Sequence, residues 1–218
     1  MPKPIACIYF DLDNTLIDRN AALMGCLETF FEEHLPQVYF YNEQPEIEEN
    51  DDWGYADRGD FVAWLIQKYQ PWGWEEESLW NYIQTNISSY VAPASPPLLQ
   101  KLQQLQQNYR LGILTNGSIS NQSRKIKQAQ LDTIFSSRQI HISQQHQLEK
   151  PNPLLFERIL EQEQLHPEQL LYVGDDPIND IVGPAQLGIA TCWVSHNREW
   201  TQDLMPTYIV EQVLDLPL

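Results

Sequence analysis

Positive charge is the first thing this sequence lacks. Thirteen Lys and Arg stand against thirty Asp and Glu in 218 residues, a formal net charge of −17. So acidic a chain repels phosphate backbones at a distance, which argues against a nucleic-acid polymer as partner. Cysteine is scarce too. Cys7, Cys26 and Cys192 are scattered with no CxxC spacing, and Cys7 and Cys192 fall in apolar runs that read as strands. Buried free thiols behave as small hydrophobes, so neither a disulfide nor a cysteine metal site is expected, and a reducing, cytoplasmic setting fits. His34, His141, His146, His166 and His196 show no metal-ligand spacing. No apolar run approaches the roughly 18 residues of a membrane span. Met1-Pro2-Lys3-Pro4 leads toward a strand rather than into a signal peptide. The expectation is a protein independent of membranes, monomeric or homodimeric.

What is present begins at Ile8-Tyr9-Phe10-Asp11-Leu12-Asp13-Asn14-Thr15-Leu16. The apolar stretch before Asp11 suits a parallel strand covered on both faces. It stops at two carboxylates spaced i, i+2, which extended geometry aims to one side of the chain. Carboxyl ends of strands are where open α/β sheets place ligands. Such a pair can hold a hard cation, or supply a nucleophile and a proton donor. Taken alone it is equally well a polar strand end entering a turn.

Three later segments decide between these. Leu111–Leu114 is a second apolar run, ending in Thr115-Asn116-Gly117-Ser118. Lys150 stands immediately before Pro151. Leu170–Val173 is a third run, ending in Gly174-Asp175-Asp176-Pro177-Ile178-Asn179-Asp180. The ordered set DxDxT, strand-Thr, Lys-Pro and GDxxxxD resembles the haloacid dehalogenase-like (HAD) superfamily, and its phosphatase branch in particular. That resemblance implies Asp11 as nucleophile, Asp13 as general acid and base, and Lys150 as the cation beside the nucleophile and the phosphoryl group. It implies Thr115 with the N–H groups of Asn116 and Gly117 as the phosphate cradle. It also implies a Mg2+ held by Asp11, Asp175 and the Asp13 backbone carbonyl, with Asp180 orienting Lys150 or the metal's waters. Asp176 reads as an N-cap before Pro177. Within the superfamily the core looks like the subgroup of bacterial nucleotidases and a riboflavin-pathway phosphatase. The implied partner is a small phosphorylated metabolite such as a nucleoside monophosphate. A phosphomutase, a 2-haloacid dehalogenase or a non-catalytic binding protein of the same fold remain the alternatives.

The strands alternate with helical patterns at Leu98–Gln107, Ser118–Gln130, Asn152–Glu163 and Ile178–Leu187. Further strands are expected at Gln139–Ile142 and Ile189–Val194. The expected fold is α/β: a doubly wound, Rossmann-like parallel sheet. Residues 17–92 break the rhythm. Ala22, Leu23, Cys26, Leu27, Phe30 and Phe31 recur at helical spacing, as do Phe61, Val62, Leu65, Ile66 and Tyr69. An all-helical cap is expected there, inserted into a core made of 1–16 and 93–218. Five of the seven tryptophans lie in it: Trp64 and Trp80 on helix faces, and Trp53, Trp72 and Trp74 beside Gly or Pro, where they could stack on a substrate. Arg19 and Arg58 are its candidate anion contacts. The Gln-rich stretches around 100–107, 122–130 and 144–147 read as solvated helix faces and loops.

Overall fold

The computed structural model describes residues 4–218; Met1–Lys3, part of the lead-in to the first strand, lie outside them. The chain divides into two compact units, one ending at Ile17 and resuming at Pro93, the other Asp18–Ala92.

The first unit is built on a six-stranded sheet in the order β3-β2-β1-β4-β5-β6. The strands are β1 Cys7–Phe10, β2 Arg110–Thr115, β3 Ile140–Ile142, β4 Leu170–Gly174, β5 Ala190–Val194 and β6 Tyr208–Val210. Every neighbouring pair is parallel. This is the expected doubly wound sheet. All four side chains of β1 are fully buried, which explains a sequence apolar on both faces rather than alternating. Each large side chain so buried contributes about 1.5–3 kcal/mol. The strand order reverses beside β1, and β1 and β4 run in register from Cys7 with Leu170 to Phe10 with Val173. A crevice outside the carboxyl ends of two such strands is the ligand position of this architecture.

The connecting helices follow their signals. Helix α5 (Pro96–Leu105) begins behind a Ser95 side-chain cap, α6 (Ile119–Gln128) behind Ser118, and α8 (Pro153–Glu163) behind Asn152. A four-residue helix α7 (Ser143–His146) occupies part of a Gln-rich stretch. Two features differ from the sequence expectation. The helix expected over 178–187 is instead a π-helical segment, Pro177–Val182, followed by a single turn at Gly183–Ala185. Gly183 packs on Pro151, where a Cβ would come within 2.7 Å of the proline ring. The sixth strand, at the sheet edge, is not among those expected: it follows β5 with no helix between them, so the strand–helix alternation does not point to it.

The second unit is helical throughout: α1 Arg19–His34, α2 Phe40–Asp51, α3 Arg58–Tyr69 and α4 Glu76–Asn86, with short 3-10 turns. Asp18 caps α1 by accepting from Ala21 N, and Asp57 caps α3 by accepting from Gly59 N and Asp60 N. Such caps are worth about 1 kcal/mol each. The apolar positions singled out at helical spacing in α1 are all buried. Trp74 does not stand free for stacking: its ring packs edge-on against Phe30 and at a tilt to His34, both at 4.8 Å, and against Tyr82 at 5.6 Å. Trp72 is 95% exposed. The two candidate arginines are engaged within the unit as well. Arg19 pairs with the buried Asp51 carboxylate, and Arg58 lies 5.7 Å over the Trp80 ring.

Candidate active site

The sheet delivers Asp11, Thr115 and Asp175 to one edge, because β1, β2 and β4 are adjacent and end at the same level. The backbone of Asp11 is tied to β4 through its N–H, which donates to Val173 O at 2.8 Å. Asp11, Asp175 and Asp180 are 6%, 2% and 0% exposed. Each offers a carboxylate oxygen, and the three oxygens lie within 4.8 Å of one another. Hard, charged oxygen donors at this spacing suit a divalent cation such as Mg2+. Asp180 lies near the other two acids while its oxygens are also engaged, Oδ1 by Lys150 Nζ at 2.7 Å and Oδ2 by Asp176 N at 3.1 Å.

Lys150 stands among these acids. Its Nζ lies 2.6 Å from Asp11 Oδ1, 2.7 Å from Asp180 Oδ1 and 3.0 Å from the Tyr172 hydroxyl. Burial works against the lysine charge, but Asp11 and Asp180 outweigh it and hold the ammonium well above its ordinary range. Burial also raises the Asp11 carboxyl; Lys150 opposes this and the neighbouring Asp13 reinforces it. Asp180 is raised by burial in the same way, again against Lys150. Lys150 is the charged member of this group, held so by the two carboxylates against it. Tyr172 completes the set by donating to Leu114 O at 2.6 Å. Gly174 makes room for it all, since a Cβ there would overlap the Asp180 carboxylate.

The Asp13 carboxylate has partners of its own on α6. Lys125 Nζ lies 2.7 Å from its Oδ1 and 2.8 Å from its Oδ2, and Gln122 Nε2 donates to Oδ2 at 2.8 Å. Gln122 also donates to Thr115 Oγ1 at 2.7 Å. The expectation of a solvated face over 122–130 is thus overturned for Gln122 and Lys125, which are buried. Ser118, Asn121, Gln122 and Lys125 do recur at the spacing of one helix face, but that spacing alone does not distinguish a packed polar face from a solvated one.

The loop after β2 serves partly as scaffold. Gly117 N, expected to face an anion, donates to Ser143 Oγ at 2.9 Å. Asn116 ties the loop after β2 to the segment carrying Lys150 by exchanging two hydrogen bonds with the Lys150 backbone, at 3.0 and 2.9 Å. Asp176 caps its segment by accepting from Ile178 N and Asn179 N. Two further residues escaped the sequence reading. Trp193 Nε1 and Arg198 Nη2 both donate to the Asp175 carbonyl, at 2.8 and 2.9 Å, and fix the loop that carries it.

A family model described as haloacid dehalogenase-like hydrolase matches residues 8–194. The chain belongs to the haloacid dehalogenase-like hydrolases. A glyceraldehyde 3-phosphate phosphatase of Pyrococcus furiosus is 27% identical over 211 residues, covering 93% of this chain and 85% of that protein. A pyrimidine 5'-nucleotidase of Escherichia coli is 31% identical over 134 residues, 60% of this chain and 58% of that one. Among solved structures, a HAD-hydrolase of Bacillus subtilis bound to magnesium has the same fold, with a TM-score of 0.77 at 22% identity and 96% coverage of both chains. Among the described residues of this HAD-like hydrolase, no helix is long and apolar enough to cross a membrane.

Proposed function

We propose that this hydrolase is a Mg2+-dependent phosphatase of small phosphorylated metabolites, acting on nucleoside monophosphates or related monoesters. One observation carries the reading: three buried carboxylates converge within 4.8 Å at the carboxyl ends of the central strands. Even with the Lys150 ammonium among them, three carboxylates leave negative charge that repels a phosphoryl group, and a hard cation among their oxygens would offset it. Asp11 and Asp175 would hold that cation together with the Asp13 backbone carbonyl, and Asp180 lies close enough to lend a further oxygen. When bound, Mg2+ supplies positive charge against the phosphoryl oxygens. The phosphatase and nucleotidase relatives support the same reaction class.

The chain's own residues divide the work as follows. An Asp11 oxygen bonds to phosphorus while the ester P–O bond breaks, and the leaving oxygen takes a proton from Asp13. Water then attacks the phosphorus of the aspartyl-phosphate and gives its proton to Asp13. The bond to Asp11 breaks, inorganic phosphate leaves, and both acids return to their starting state. Lys150, the Thr115 hydroxyl and the Asn116 N–H hold the phosphoryl oxygens, because positioning and positive charge are most of what this transfer requires.

The test is phosphate release from a panel of nucleoside monophosphates, glyceraldehyde 3-phosphate and p-nitrophenyl phosphate, with and without Mg2+. Turnover should require the metal and should vanish in Asp11→Asn, which keeps shape and loses nucleophilicity. Undiminished release by Asp11→Asn, or by metal-stripped protein, would overturn the reading.

A further inference from the structure

The inward face of α6 is polar where a helix packed on a sheet is ordinarily apolar. Asn121, Gln122 and Lys125 are 5%, 1% and 4% exposed and recur three and four residues apart, the spacing of one helix face. Burying a lysine or an amide is costly unless its polar atoms are met. Lys125 and Gln122 are met by the same group, the Asp13 carboxylate, whose side chain keeps 26% exposure. Both Asp13 oxygens are engaged from one side: Oδ1 by Lys125, Oδ2 by Lys125 and Gln122. Donors on both oxygens fix the rotation of a carboxylate that would otherwise turn about two side-chain bonds. The Gln122 amide also reaches Thr115 Oγ1 at 2.7 Å, so one side chain spans the ends of β1 and β2.

We infer that Lys125 and Gln122 are positioning residues for proton transfer. They hold the Asp13 carboxylate in the orientation that meets the leaving oxygen, and Gln122 fixes its distance from the Thr115 hydroxyl. Proton transfer needs a heavy-atom reach of about 2.6–3.2 Å, and a rotated carboxylate loses it. The inference rests on the reading of Asp13 as acid and base, and the experiment separates the two.

The probes are p-nitrophenyl phosphate and phenyl phosphate, similar in shape but unlike in leaving-group basicity. The nitrophenolate departs without a proton, whereas the phenolate needs one. Lys125→Met should therefore slow the first turnover of phenyl phosphate by on the order of tenfold more than the first turnover of p-nitrophenyl phosphate, with substrate affinity little changed. Lys125→Arg, which keeps the charge and the donors, should recover much of the loss. In an Asp13→Asn background, Lys125→Met should cost less than about a further twofold, because a residue acting only through Asp13 has nothing left to position. Gln122→Asn keeps the amide and shortens its reach, and should show the same selective loss even if Lys125→Met fails to fold. Equal losses on both esters, or an undiminished effect of Lys125→Met in the Asp13→Asn background, would overturn the positioning role alone. Wild-type turnover of both esters by Asp13→Asn would instead overturn the acid–base reading, and the inference with it.

Discussion

The Lys150 ammonium meets the Asp180 carboxylate at 2.7 Å, at a point where neither side chain exposes more than 3% of its surface. Removing one partner of a buried ion pair strands the other charge, at about 3–5 kcal/mol. Lys150→Met leaves two buried acids facing each other, and Asp180→Asn leaves Lys150 with Asp11. Both should lower the urea midpoint, Lys150→Met more. The double variant should be more stable than the sum of the single losses predicts, since neither side chain then leaves the other's charge stranded. Strict additivity would show that the pair is not coupled in the fold.

Metal should stabilise the fold as well as support turnover. Anything that binds only the folded chain raises its stability by mass action. Mg2+ should raise the melting temperature of the wild type and raise it far less in Asp175→Ala, which lacks one of the three donors. EDTA should abolish activity, and added Mg2+ should restore it. A melting shift in Asp175→Ala equal to that of the wild type would place the cation elsewhere.

A second polar network joins the buried Tyr9, His141 and Glu163 to the half-buried His146 and the exposed Arg110. Tyr9 OH lies 3.1 Å from Glu163 Oε1 and 3.3 Å from His141 Nε2, and Arg110 pairs with Glu163 at 2.7 Å. Burial, aided by His146, lowers the His141 pKa to about 4 from its ordinary 6.5. The imidazole is therefore neutral in the folded chain at pH values where the unfolded chain has already taken up a proton. Its contribution to stability is complete above pH 6.5 and is lost as pH falls toward 4. Urea unfolding should show stability declining between pH 6.5 and 4, and His141→Asn should flatten that decline. An unchanged slope in the variant would rule out His141 as its source.

The insert's tryptophans separate by packing. Trp74→Ala removes a ring from the Phe30, His34 and Tyr82 cluster and should cost about 2–3 kcal/mol, somewhat less than a fully buried aromatic. Trp72→Ala, at an exposed turn, should stay within about 0.5 kcal/mol of wild type. Thermal melts of the two variants check this directly. Equal melting temperatures would mean that the cluster contributes little.

How far the chain could be read in advance follows from where each signal is local. Asp11, Asp13, Thr115 and Asp175 sit at the ends of apolar runs, and Lys150 stands beside a proline, so strand pattern and breaker residues mark them one at a time. Gln122 and Lys125 carry no such mark. Polar residues at helical spacing look the same whether they face water or a carboxylate, and only the packing of α6 on the sheet tells the two apart. Tyr172 was hidden differently: within Leu170–Val173 it reads as one more apolar strand residue, while its hydroxyl serves Lys150. Asp180 was placed correctly beside Lys150. Its carboxylate also lies near Asp11 and Asp175, and it sits in a π-helical segment, Pro177–Val182, that residue pattern does not foretell. The sixth strand, Tyr208–Val210, follows β5 without an intervening helix, so the alternation of strands and helices does not announce it.

The ladder between β1 and β4 carries one more implication. Asp11 and Asp175 lie one and two residues beyond paired positions of adjacent parallel strands, whose backbones run about 4.8 Å apart. Main-chain hydrogen bonds thus act as a ruler for the carboxylate spacing. Loop and helix sequences around the two acids can drift over evolutionary time without altering that gauge. A one-residue slip of β4 against β1 would destroy it at once, because every β4 side chain would then change faces. The chemistry is in this sense written into a register, and the most damaging lesions would be those that let two strands slide.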